Sequence, residues 1–142
     1  MKLSFRSSGL LLMLFSICQL TVAMEKSKIS DLNRDLTVAE LAINKKLPTI
    51  IDSELRIDEV KAGDRELSYF ITFFKHSKKE IKLDDLKTEM SKKLLGQACS
   101  NRDYLTFLKN GVQLRMVYRS KELEELVVII IQPSHYGYKN SK

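Results

Sequence analysis

The residues that could perform chemistry are few in this sequence and are widely separated. Cys99 follows Gln97-Ala98, and the two histidines, His76 and His135, lie far from each other. A metal site needs ligands at short spacing, such as Cys-x-x-Cys or His-x-x-x-His, and neither pattern occurs. A reactive thiolate needs a cationic neighbour, and none is evident around Cys99. We therefore predict no metal, no cofactor and no catalytic residue.

Paired acids are the other candidates for catalysis. Asp58-Glu59, Asp84-Asp85 and Glu124-Glu125 are each adjacent in the sequence. Adjacent residues do not face each other on a helix or a strand, so these pairs are not placed for acid–base work. No glycine-rich loop that could hold a phosphate is present either. The acids are predicted to cap helices or to face solvent, and the protein is predicted not to be an enzyme.

A basic segment at residues 75–93 is the first candidate binding surface. Its lysines outnumber its acids, and the four that precede a predicted helix are Lys75, Lys78, Lys79 and Lys82. A patch of this kind attracts anionic lipid head groups or holds an acidic partner. The alternative is a charged face in solvent. Nucleic-acid binding is not expected, because the protein is predicted to be exported and no recognised binding motif appears.

Arginines and aromatic residues form the second candidate surface. Arg115 and Arg119 share one face of a predicted strand, and Arg56 is expected on the same face of the sheet. Phe70 and Phe74 join them from another strand. Arginine and aromatic side chains are enriched at protein interfaces. The alternative is a set of cross-strand ion pairs with neighbouring acids, each of which contributes little to stability.

The last predicted strand, residues 126–131, consists only of aliphatic residues. A sheet with helices on one side should alternate apolar and polar residues, and this strand does not. We therefore expect a second subunit, a partner or the N-terminal arm to cover the second face of the sheet. Alternatively, neighbouring strands and the chain's own tails shield it. The exposed apolar interface is predicted to contain Phe70, Phe74, Val127, Ile129 and Ile131.

Hydrophobic periodicity and turn signals indicate the elements that position these residues. The first helix is predicted to start at a capping box, Thr37 with Glu40, and to stop before Pro48. The strand that follows has a bulge near residues 58–59 and forms a hairpin with the next strand. Two helices then separate this hairpin from another. The order α-β-β-α-α-β-β predicts an α+β fold, with a four-stranded, mostly antiparallel sheet and helices packed on one face.

The N-terminus carries an export signal. The 142 residues have a formal charge of +6 and suffice for one domain. Lys2 and Arg6 precede an apolar core, and Thr21-Val22-Ala23 supplies the small residues of a cleavage site. This is the pattern of a secretory signal peptide. We predict a signal peptide at 1–23, a flexible arm at 24–35, a single α+β domain at 36–134 and a polar tail at 135–142.

One run, Lys46-Leu-Pro-Thr-Ile-Ile-Asp-Ser-Glu-Leu-Arg-Ile-Asp58, is the most recognisable segment of the chain. It is accompanied by Cys99, Leu108-Lys-Asn-Gly111, Tyr118 and Gln132-Pro-Ser134. This combination resembles a loosely defined group of small exported bacterial α+β proteins with a signal peptide and no established activity. In that group, a cysteine after the Pro-Ser segment looks to pair with the one that matches Cys99. His135 and Tyr136 stand there in this chain, so the resemblance implies an exported domain without that disulfide.

These observations together predict an exported, non-enzymatic interaction module. It would bind a protein partner or another copy of itself through the open sheet face, in the periplasm or outside the cell. The first alternative is a secreted binder of anionic surfaces, either phospholipid head groups or acidic polysaccharide. The second is a small inhibitor or hydrolase, although no constellation of residues supports a hydrolase.

Overall fold

The computed structural model describes residues 28–136, except for the side chains of residues 98, 99, 135 and 136. The predicted signal peptide at 1–23 lies outside these residues, as does most of the predicted tail at 135–142. The helices are α1 (residues 28–44), α2 (Leu83–Ser100) and α3 (Arg102–Lys109). The strands are β1 (Thr49–Ile50), β2 (Leu55–Gly63), β3 (Glu66–Phe73), β4 (Gln113–Arg119) and β5 (Glu125–Ile131). Within this part of the chain, no helix is both long enough and apolar enough to cross a membrane.

The strands lie in the order β1-β2-β3-β4-β5 within one sheet. β3 and β4 run parallel, and the other neighbours are antiparallel. The α+β class is therefore correct, but the predicted four-stranded, mostly antiparallel sheet is a five-stranded mixed one. β1 is a separate strand because Asp52 accepts hydrogen bonds from the backbone N–H groups of Glu54 and Leu55, both at 2.9 Å, and turns the chain back. The parallel pair arises because α2 and α3 form a long crossover between β3 and β4.

α1 begins earlier than the sequence pattern indicates. Residues 28–35, which were expected to belong to a flexible arm, are helical. Thr37 therefore lies inside the helix, where its hydroxyl donates to the carbonyl oxygen of Asn33 at 3.1 Å, and the predicted capping box is wrong. Glu40 instead accepts a hydrogen bond from the backbone N–H of Ala62 at 2.9 Å. Glu40 thus binds the backbone of a distant strand and does not cap the start of its own helix.

The hydrophobic core lies between the helices and one face of the sheet. Leu36 of α1, Leu94 of α2 and Leu108 of α3 are buried in it. Alternate residues of the two central strands supply the sheet side of the core. These residues are Leu67, Tyr69, Ile71 and Phe73 on β3 and Leu114, Met116 and Tyr118 on β4. Because all three helices pack on this face, no helix in the described part of the chain covers the opposite face.

β5 faces the core with the residues that were predicted to be exposed. Ile129 lies opposite Met116, which faces the helices, so Ile129 and its alternate neighbours face the helices as well. The exposed fractions of Ile129 and Ile131 are 9% and 1%. The predicted apolar interface is therefore wrong about Val127, Ile129 and Ile131. An all-aliphatic strand has no alternation of polar and apolar residues that would show which side faces the core. In β5, the pairing with β4 determines which side that is.

Candidate functional site

The face of the sheet away from the helices, called the open face below, carries the predicted arginines. Arg56 on β2 lies opposite Thr72 on β3, and Thr72 lies beside Arg119 on β4. Arg115 lies beside Ser68 by the same register. The β3 residues Ser68 and Thr72 alternate with the core residues of that strand and therefore point the other way. The structure thus places the three predicted arginines on one face.

The two predicted phenylalanines also lie on the open face. Phe70 is paired with Val117 of β4. The backbone N–H of Phe74 donates to the carbonyl oxygen of Glu54 at 3.1 Å, which continues the β2–β3 pairing beyond the end of β3. Phe74 therefore keeps the alternation and shares the face of Phe70. Both rings are half-buried.

Asp58 links the arginines to each other. The predicted bulge is confirmed, because the register of β2 against β3 shifts between Ile57 and Glu59 and leaves Asp58 as the extra residue. The Asp58 carboxylate accepts hydrogen bonds from Arg56 Nε, from the Thr72 hydroxyl and, at 3.3 Å, from Arg119 Nη2. The Asp58–Arg119 contact is a cross-strand ion pair of the kind that was the alternative to a binding role, whereas Arg56 lies on the same strand as Asp58. The contacts of Asp58 together join three strands across the open face.

The Asp58 carboxyl remains ionised despite its position. Burial of the group opposes ionisation, but the hydrogen bonds from Arg56 and Thr72 and the charges of Arg56 and Arg119 outweigh this effect. The pKa of Asp58 is thereby held below its ordinary value of 3.8. The carboxylate orients two guanidinium groups and is not poised to donate a proton at neutral pH.

Two arginines of β4 retain donor groups that no other residue in the described part of the chain uses. The guanidinium carbon of Arg119 lies 5.0 Å from the ring centre of Phe70, which is a cation–π geometry. Its Nε is buried and finds no hydrogen-bond partner among the described residues. Arg115 takes part in none of the ion pairs formed between residues 28 and 136. The centre of the open face therefore offers a guanidinium group without a counter-ion from the same region.

Aliphatic side chains flank the arginines at both margins of the open face. Ile50 on β1, opposite Arg56, is 67% exposed, and Ile130 on β5, opposite Arg115, is 43% exposed. Val128, which lies on β5 opposite Val117 and shares the face of Ile130, is half-buried. Apolar groups beside unpaired arginine match the composition of protein interfaces more closely than that of an ordinary solvated face.

The basic segment does not form one surface with the open face. All four of its predicted lysines are exposed. Lys75 places its Nζ 5.5 Å from the ring centre of Phe74, at the margin of the open face. Lys78 and Lys79 lie in a short 3-10 helix, and Lys82 precedes α2. Binding of an anionic surface by these lysines stays a prediction.

Two acids of the open face, Asp58 and Glu66, were among the possible ion-pair partners that the sequence offered for the arginines, but their actual contacts could not be assigned from it. The slip in alternation along β2 located the bulge at Asp58 but did not show which side chains it binds. Glu66 accepts hydrogen bonds from the Ser68 hydroxyl and from Gln113 Nε2, both at 2.7 Å. No local signal reveals the Glu66–Gln113 contact, because it depends on the parallel pairing of β3 with β4.

Comparison with known proteins identifies the fold. No protein-family model matches this sequence, and neither does any curated protein. A protein of Pseudomonas aeruginosa that is classed as secreted has a similar structure, with a TM-score of 0.64 at 14% identity, over 74% of this chain and 92% of that one. The type II secretion system pilotin AspS of Vibrio cholerae matches with a TM-score of 0.61 at 13% identity, over 78% and 96%.

A second pilotin gives the same result. The type 2 secretion system pilotin EpsS of Vibrio vulnificus matches with a TM-score of 0.62 at 12% identity, over 77% of this chain and 94% of that one. The chain shares its fold with these proteins. Small exported bacterial proteins were the group that the sequence resembled, and the structural neighbours agree with that coarser statement. At such low identities the similarity shows the fold alone.

Proposed function

We propose that this protein is an exported, non-enzymatic module of the bacterial envelope that binds another protein through the open face of its sheet. One observation carries the proposal. The open face combines Arg115, which lacks an ion pair within the described residues, with exposed Ile50 and Ile130, and no helix in that part of the chain covers it. A partner with a carboxylate flanked by aliphatic side chains would complement this surface.

The network beneath that surface supports the proposal. Asp58 holds Arg56 and Arg119 in fixed positions, so these side chains lose little conformational freedom when a partner arrives. Arg119 and Asp58 side chains are both only 17% exposed, so their interaction is weakly screened by salt. A pre-organised face of this kind lowers the entropic cost of binding a partner.

The similar structures support a role in secretion. Two of them are pilotins of type II secretion systems. We therefore propose that the partner of this protein is a component of the secretion apparatus. The export predicted from residues 1–23 and the similarity to a protein classed as secreted agree with an envelope location.

The non-enzymatic part of the proposal rests on the sequence, which offers no catalytic constellation. Within the described residues, no group of three or more His, Cys, Asp or Glu side chains could hold a metal ion. His76 contacts Glu54, with Nε2 3.3 Å from the carboxylate, and both side chains are substantially exposed.

Site-specific photo-crosslinking in the producing bacterium tests the proposal. A photoreactive amino acid replaces Arg115 on the open face or, as a control, Lys87 on the exposed side of α2. We expect a discrete adduct from position 115 and none from position 87, and mass spectrometry then identifies the crosslinked protein. Equal labelling from both positions, or none from position 115, would contradict binding through the open face.

A charge reversal then measures the contribution of the arginine. We expect Arg115→Glu to weaken binding of the crosslinked partner by about tenfold or more, because a like charge then faces its carboxylate. Arg102→Glu, at an exposed position of α3, is the matched control and should bind normally. If the identified partner lies outside the secretion apparatus, the role in secretion is wrong while binding through the open face stands.

A further inference from the structure

The two edges of the sheet differ in how their outward backbone N–H and carbonyl groups are satisfied. Along β2, the part that β1 leaves unpaired is occupied by side chains of α1. Asn44 bonds both the N–H and the carbonyl oxygen of Val60, at 2.9 and 2.8 Å, and Glu40 accepts from the N–H of Ala62 at 2.9 Å. Asn33 accepts from the N–H of Arg65 at 3.0 Å. Both backbone groups of Val60 and the N–H groups of Ala62 and Arg65 are therefore satisfied by side chains of α1.

β5 forms the opposite edge and has no comparable cover among residues 28–136. Apart from the pairing with β4, no hydrogen bond in the described part of the chain reaches residues 125–131. An edge strand presents a row of unpaired N–H and carbonyl groups, and proteins usually blunt such an edge with charges, proline or a covering element. β5 has no lysine, arginine or proline, and its only charged residue is Glu125 at the first position.

The sequence of β5 is complementary to itself. Residues 126–131 are all aliphatic, so no pairing of this segment with a second copy brings like charges together. In an antiparallel pair, Glu125 of each copy lies beside the aliphatic end of the other, whereas a parallel pair would align the two Glu125 carboxylates. Ile130, which is 43% exposed, would become covered by an aliphatic side chain of the second copy.

We propose that β5 pairs with β5 of a second copy, antiparallel about a two-fold axis, to join two five-stranded sheets into one. The occupant is this chain itself, because the exposed edge, the aliphatic run and the position of Glu125 all match a second β5. The axis is perpendicular to the sheet, so the helices of both copies lie on the same side and the two open faces are continuous. This proposal shares Ile130 with the open face described above, but it rests on the free backbone edge of β5 and does not depend on partner binding.

Sedimentation analysis over a dilution series of the protein, purified from the cells that export it, tests the pairing. We expect a dimer that dissociates on dilution. Ile130→Lys places a charge beside the second β5 strand. Because lysine protects edge strands from pairing, this change should raise the dimer dissociation constant by about tenfold or more. Ile50→Lys makes the same change on β1, at the opposite margin, and should leave the dimer unchanged.

Disulfide trapping provides a readout that does not depend on the stability of the lysine variant. In a Cys99→Ser background, cysteine is introduced at Val128 and Ile130, singly and together, with Ile50→Cys as the control. Paired residues of antiparallel strands have Cα atoms about 4.5–5.5 Å apart, which suits a disulfide. We expect at least one of the β5 variants to form a covalent dimer in air, while the control does not.

Three results would overturn the proposal. They are a wild-type protein that sediments as a monomer at every concentration, equal effects of Ile130→Lys and Ile50→Lys, and trapping that is no greater on β5 than at residue 50. A monomer whose β5 accepts a strand from a different protein would belong to the first of these results.

Discussion

The side-chain amide of Asn44 makes the two hydrogen bonds with Val60 that a neighbouring strand would otherwise make. Asn44 Nδ2 donates to the carbonyl oxygen of Val60 at 2.8 Å, and Asn44 Oδ1 accepts from its N–H at 2.9 Å. Val60 is fully buried. A helix side chain thus replaces a strand at this position, and it fixes α1 against the sheet.

Asn44→Ala should destabilise the protein by about 1–3 kcal/mol, because it leaves a buried N–H and a buried carbonyl group without partners. The free energy of unfolding from urea titration gives this value. Thr37→Ala on the same helix is the control. Since Thr37 lies inside α1 and is exposed, alanine should be neutral or slightly stabilising there. A loss of about 1 kcal/mol from Thr37→Ala would instead restore the helix cap predicted from the sequence.

Asp58→Asn should cost about 1–3 kcal/mol of stability, because it removes the negative charge that compensates Arg56 and the mostly buried Arg119. Urea titration at neutral pH measures the change. Asp31→Asn is the matched control, since Asp31 pairs with Arg34 at 3.4 Å on the surface. That pair should contribute less than about 1 kcal/mol. If both variants lost the same free energy of unfolding, the Asp58 contacts would contribute no more to stability than a surface ion pair.

The same carboxylate predicts a dependence of stability on acid. The pKa of Asp58 is lower in the folded chain than its ordinary 3.8, so the folded state binds its proton less readily than the unfolded state. The contribution of Asp58 is therefore complete above about pH 4 and disappears as the pH falls through the folded pKa. We expect urea midpoints measured from pH 6 down to pH 2.5 to fall less steeply in Asp58→Asn than in the wild type.

Some dependence of the urea midpoint on acid should persist in Asp58→Asn. Hydrogen bonds from the backbone N–H groups of Glu54 and Ser77 lower the pKa values of Asp52 and Glu80. An acid dependence identical in the wild type and in Asp58→Asn would show that Asp58 does not contribute to it.

The phase of β5 predicts opposite outcomes at neighbouring positions. Ile129→Thr should destabilise the fold by about 2 kcal/mol, because Ile129 is 9% exposed and faces the helices. Ile130→Thr should change stability by no more than about 0.5 kcal/mol, because its side chain lies on the open face. Unfolding at high dilution keeps any association out of the comparison. A larger loss at Ile130 than at Ile129 would restore the phase predicted from the sequence.

Local signals predicted the features of this fold that depend on neighbouring residues. The slip in alternation along β2 located the bulge at Asp58, and Asn110-Gly111 marked the end of α3, where Gly111 has a φ of 80°. Alternation on β4 placed Arg115 and Arg119 on one face, where the structure finds them with Arg56. Each of these inferences needs only the sequence within a few positions.

Features that depend on distant residues could not be predicted in this way. The pairing of Ile129 with Met116 determines which alternate residues of β5 face the helices. Because every residue from 126 to 131 is aliphatic, the sequence does not indicate this. The Thr37–Glu40 spacing matches a helix cap, but Glu40 instead bonds Ala62, more than twenty positions away. The pairing of β3 with β4 follows from the crossover through two helices. Long-range contacts therefore decided the direction of β4 and the covered face of β5, whereas the turn at Asp52 that adds a fifth strand is local.

The cover that α1 provides along β2 has a consequence for assembly. A sheet with two free edges can add molecules at both sides and grow into a filament, whereas a sheet with one free edge can add a single neighbour. Asn33, Glu40 and Asn44 close one side with bonds from within the molecule. The proposed strand addition at β5 would therefore end at two copies, and a protein with an aliphatic edge strand would be protected from polymerisation by the first helix of its own chain.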